Sequence, residues 1–81
     1  MADKKFGVVH LEVIQDPGLS LRAKGLYALL CTYANKNREC YPSITTLSEI
    51  SGVTRRTIER TLKELEDKHY VTRNGKIFIV G

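Results

Sequence analysis

Apolar residues change their period twice along this chain of 81 residues. Between Lys5 and Gln15, Val9, Leu11 and Val13 alternate with His10 and Glu12, which predicts a half-buried strand. "DPG" at Asp16 to Gly18 breaks the run. Ser20 then stands as N-cap to "LRAKGLYALLCTYAN", where Ala23, Leu26, Tyr27, Leu30 and Ala34 recur at helical spacing, so a first long helix is expected over about residues 21 to 35. Gly25 inside it costs roughly 1 kcal/mol. A polar loop, "KNRECYP", follows. Pro42 and Ser43 set up a second helix, "ITTLSEIS", in which Ile44, Leu47 and Ile50 point one way, and Gly52 ends it.

Only "GV" separates that helix from Thr54, the next N-cap, with a third helix expected from about 55 to 68. Helix, tight glycine turn, helix is the helix-turn-helix pattern. After Lys68 the period returns to two in "YVTRNGKIFIV", and Asn74-Gly75 between two apolar runs is a hairpin signal. With those two residues as the loop, Arg73 faces Lys76, Thr72 faces Ile77 and Val71 faces Phe78. The expected class is α+β, with an N-terminal strand, three helices and a C-terminal hairpin. Leu26, Leu30, Leu47, Ile50, Ile58, Leu62 and Leu65 form the expected core.

Charge sharpens this picture in one helix. On a 100° wheel, Ile58, Leu62 and Leu65 of "VTRRTIERTLKEL" fall within roughly 40° of one direction while Arg56, Arg60 and Lys63 gather opposite. Like charges at i,i+4 weaken a helix by a few tenths of a kcal/mol unless an anion meets them. The expected facing of Arg73 and Lys76 poses the same question at the hairpin tip. The competing reading is a solvated face neutralised through Glu59 to Lys63, Arg60 to Glu64 and Glu64 to Lys68.

Thirteen Lys and Arg against nine Asp and Glu give a net charge of +4, which favours a polyanionic partner. With 42% hydrophobic and 27% charged residues, the composition is that of one globular domain. The N-terminus lacks the apolar stretch of a signal peptide, and no run approaches the roughly 20 residues of a membrane span, so the reading is cytoplasmic.

Cys31 and Cys40 match no usual zinc spacing, and one buried thiol with one loop thiol is expected, without metal or cofactor. His10 and His69 read as surface or strand-end residues. Tyr27, Tyr33, Tyr41 and Tyr70 read as core or rim aromatics rather than base-stacking platforms. An enzyme is not expected: there is no phosphate-binding glycine loop with lysine, no paired histidines for a metal and no triad spacing.

From about Leu19 to Val80 the chain resembles the winged helix-turn-helix DNA-binding domains. "YPSITTLSEISGVTRRTIERTLKELEDKHYV" is similar to that family's Pro-Ser start, Leu-centred helix, Gly-Val turn, Thr-containing recognition helix and closing hairpin. "DPGLSLRAKGLYALL" is similar to winged helices at the start of phage and plasmid replication initiation proteins, and GntR-type transcription regulators share the later run. His69 stands where the family often has Gly, although His tolerates a left-handed conformation better than most residues.

The resemblance implies that the third helix enters the major groove of double-stranded DNA. Arg55, Arg56 and Arg60 become candidates for base edges, because an arginine fork can bond guanine O6 and N7 together. Ser43, Thr54, Thr57, Lys63, Arg73 and Lys76 become candidates for phosphates, with the free N–H groups behind Ser43 as a seat. The chain reads as the N-terminal part of a longer protein whose remainder recruits replication or transcription proteins, with a homodimer as one arrangement on DNA. A protein-interaction module on the same fold would instead expose an apolar patch where Arg56, Arg60 and Lys63 stand.

Overall fold

The computed structural model describes residues 9–80. They run α1 (Leu11–Ile14), α2 (Leu21–Tyr33), β1 (Glu39–Cys40), α3 (Ile44–Ser51), α4 (Arg55–Asp67), β2 (Val71–Asn74) and β3 (Ile77–Val80). The strands form one antiparallel sheet in the order β1-β3-β2. The architecture is α+β and compatible with a winged helix-turn-helix.

Side-chain hydroxyls start each of the three longer helices. Ser20 Oγ accepts from the Ala23 N–H (3.1 Å), Ser43 Oγ from Thr46 (3.0 Å) and Thr54 Oγ1 from Thr57 (3.2 Å). Gly52 closes α3 in the left-handed region at φ 79°. His69 does the same after α4 at φ 63°. There the His69 N–H bonds the Glu66 carbonyl (2.9 Å) and the Tyr70 N–H the Leu65 carbonyl (3.0 Å), the paired bonds of a Schellman motif with His where Gly is usual.

Leu26, Leu30, Leu47, Ile58, Leu62 and Leu65 are buried as expected, joined by Tyr27, Val71, Phe78 and Val80. Ile50 departs from the expected core and is 54% exposed. Half-buried Val53, just past the Gly52 turn, packs against the core instead. Ile50 is left lining a cleft of about 350 Å³ with Leu26, Leu29 and Ile58.

The expected N-terminal strand is also overturned where the structure describes it. Residues 5 to 8 of that span lie outside the described residues, and Leu11–Ile14 is a helical turn in which the His10 carbonyl accepts from the Val13 (3.1 Å) and Ile14 (3.4 Å) N–H groups. A strand needs a ladder. The edge of β3 away from β2 is taken by Glu39–Cys40, two residues of the expected polar loop. That strand turns Cys40 inward, so both thiols are buried and free, where one loop thiol was expected. Burial raises the pKa of Cys31 and pushes that of Cys40 up to about 11, leaving both as neutral thiols.

The hairpin forms two residues out of the expected register. Arg73 pairs with Phe78, Asn74 with Ile77, and Val71 with Val80, so the loop is Gly75-Lys76. Gly75 has φ 64° while Lys76 keeps negative φ, the pattern of a type II′ turn with Gly first. A shift of two leaves each side chain on its face but changes its partner. The expected facing of Arg73 and Lys76 is therefore absent.

Candidate nucleic-acid interface

Glu64, the carboxylate expected to neutralise Arg60 and Lys68, is engaged elsewhere. Glu64 Oε2 accepts from the Ser20 N–H and Oε1 from the Ser20 hydroxyl, both at 2.8 Å. These two bonds lower the Glu64 pKa and clamp the start of α2 onto α4. Lys68 pairs with Asp16 at 3.1 Å. Neither Arg60–Glu64 nor Glu64–Lys68 forms, and Glu59–Lys63 does not close. Among the described residues no carboxylate lies at ion-pair distance from Arg55, Arg56, Arg60 or Lys63, and all four side chains are exposed.

Their position deepens the asymmetry. Arg55 and Arg56 open α4, whose first turn carries no acidic residue, so two cations face the positive end of the helix dipole. Ile58, Leu62 and Leu65 occupy the buried side of the same helix. Thr54 and Thr57 join through their hydroxyls at 3.0 Å beside those arginines. Before α4, the Ser48 hydroxyl donates to the Val53 carbonyl, fixing the turn that sets α4 against α3.

Ser43, Arg73 and Lys76 meet around one cleft of about 290 Å³, lined also by Tyr41 and Phe78. The α3 cap and the hairpin thus share a surface. Thr57 and Arg60 line a second, smaller cleft of about 170 Å³ with Glu64 and with Arg22 of α2. Arg22 was not among the sequence candidates. Its local signal was a pair of cations, Arg22 and Lys24, in the first turn of a helix without an acidic residue there.

A family model described as a helix-turn-helix domain matches residues 18–71, from the turn before α2 to the first residue of β2. The chain belongs to the helix-turn-helix domain family. No curated protein and no solved structure matches it significantly. Membership in this helix-turn-helix family points to DNA as the partner, and the cationic helix is the second of the motif's two helices, the one such domains place in the groove. Among the described residues no helix is long and apolar enough to cross a membrane, and no group of three His, Cys, Asp or Glu side chains is placed to hold a metal ion.

Proposed function

We propose that this helix-turn-helix domain is a cytoplasmic module that binds double-stranded DNA in a sequence-specific way, with α4 in the major groove and no catalytic step of its own. The observation that carries the reading is the run of Arg55, Arg56, Arg60 and Lys63 along the exposed side of α4 with no carboxylate paired to it. Arg55, Arg56 and Arg60 take base edges, where a bidentate arginine discriminates by about 1 to 3 kcal/mol. Thr54, Thr57 and Lys63 take phosphates beside them, and Ser43, Arg73 and Lys76 take phosphates through the α3 start and the hairpin, acting as a wing.

The setting we favour is replication initiation of a phage, plasmid or other mobile element, on the resemblance of the α2 segment. Transcription control of GntR type is the second reading, supported by the resemblance of the α3 to hairpin run. A protein-docking role for α4 is disfavoured, because its outward side is cationic rather than apolar.

Selection of bound duplexes from a random pool tests the proposal. The expected outcome is a defined site, bound with log affinity falling against log salt at a slope of roughly −4 to −5, as for about four to six phosphates. Replacing Lys76 should lessen that slope by about one and leave sequence preference unchanged. A two-fold site would indicate a dimer. Recovery of no preferred sequence, or binding insensitive to salt, would refute the reading.

A further inference from the structure

Arg22 lies in the first turn of α2, more than thirty positions before the recognition helix, yet it lines one cleft with Thr57 and Arg60 of α4. The clamp between Ser20 and Glu64 explains the meeting: two 2.8 Å bonds hold the start of α2 against the middle of α4. Arg22 is exposed, forms no ion pair among the described residues and stands at the unfavourable end of its own helix dipole. Two guanidinium groups against one carboxylate leave the cleft with a net positive charge, and both oxygens of that carboxylate are directed at Ser20. Glu64, whose charge Arg22 also feels, offsets only one of the two cations, and an incoming anion would balance the other.

We infer that Arg22, with Thr57, forms a phosphate seat beside Arg60 on the α2 side of the recognition helix, so that DNA is gripped by α2 as well as by α4, the α3 start and the wing. The inference rests on the DNA-binding reading above. It adds a separate contact, since this cleft shares no residue with the one formed by Ser43, Arg73 and Lys76. The seat recognises a backbone phosphate and carries no base preference. A phosphate entering it would bring Arg60 into register along the groove, making Arg22 a positioning residue for Arg60 as well as a contact.

The experiment measures duplex binding to the selected site by fluorescence anisotropy across a salt series, for wild type, Arg22→Gln, Arg22→Lys and Lys76→Ala, with a thermal melt of each. Arg22→Gln should bind several-fold more weakly, with the salt slope lessened by about one, the preferred sequence unchanged and the melting temperature held. Arg22→Lys should recover most of the slope. Wild-type affinity and slope in Arg22→Gln, alongside a loss in Lys76→Ala, would overturn the seat while leaving the DNA-binding reading intact. A lowered melting temperature with unchanged slope would overturn it too, assigning Arg22 to the structural support of Glu64. Absence of duplex binding by wild type would remove both.

Discussion

The Arg73 guanidinium lies over the Phe78 ring, 5.3 Å from its centroid. The two residues are paired across the hairpin only because the loop is Gly75-Lys76. An arginine resting on an aromatic face keeps its charge while its stem is held in place, which aims a wing cation without a carboxylate. Gly75→Ala should therefore cost about 1 to 2 kcal/mol, through strain at φ 64° and not through crowding, since nothing stands within 4 Å of the added carbon. Asn74→Ala should be nearly neutral, because Asn74 sits in β2. Thermal melts of the two variants check the register: a large loss at Asn74 would indicate the alternative loop.

Arg56→Ala should leave the melting temperature equal or slightly higher, since it relieves like-charge crowding with Arg60, while weakening binding to the selected site by about 1 to 3 kcal/mol. The loss should fall on one or two base positions. Lys63→Ala should weaken all sequences alike. Melting curves and competition binding with single-base variants of the site separate the two effects. An Arg56→Ala protein that melts lower and binds normally would return the residue to structure alone.

Leu62→Ala, on the buried side of α4 where Leu62 is 1% exposed, should cost about 2 to 5 kcal/mol, comparable to the whole stability of a domain this small. Ile50→Ala should lie within about 0.5 kcal/mol of wild type, because that side chain is already largely in water. Urea titrations followed by circular dichroism measure both.

Acid should loosen the turn held by Asp16. Asp16 accepts from the Tyr70 hydroxyl (2.6 Å) and the Gly18 N–H (2.8 Å) and pairs with Lys68, contacts that hold its pKa down to about 2 from an ordinary 3.8. A carboxyl whose folded pKa is depressed stabilises the fold above its unfolded value and loses that contribution as pH falls through the folded one. Stability should thus decline between about pH 4 and pH 2, and Asp16→Asn should flatten that part of the profile. An unchanged pH dependence in the variant would show that the contacts do not persist in solution.

The parts that could be read from sequence were those whose physics is local. Ser20, Ser43 and Thr54 cap through bonds to residues three positions ahead, and Gly52 turns on its own missing side chain, so four helix boundaries are written in short strings. The two-sided character of α4 needed only the helical period. What escaped depended on partners far away. Three alternating apolar residues near Val9 imitate a strand, but no neighbour offers them a ladder, whereas two residues at Glu39 become one because β3 does. Asn-Gly was the stronger turn signal, yet Gly-Lys is an equally legal loop, and pairing Val71 with Val80 decided between them. The basic face was visible in sequence, but its lack of ion-pair partners among the described residues was not. Glu64 had to be seen bonded to Ser20, forty-four positions away, before Arg60 was known to be unpaired.

Arg38 and Val80 tie the start of β1 to the end of β3. The Arg38 carbonyl, at a residue with φ 65°, accepts from the Val80 N–H (2.9 Å), and the Arg38 Nε–H donates to the Val80 carbonyl (2.7 Å), while Val80 is wholly buried. β1 thus has no partner until the last strand arrives. On a growing polypeptide the helices can assemble early, but the strand pairing that seats Cys40 and Phe78 must wait until residue 80 has left the ribosome. The hairpin is then the last of the described elements to fold, and under the DNA-binding proposal a nascent domain would present α4 before it could hold on with its hairpin.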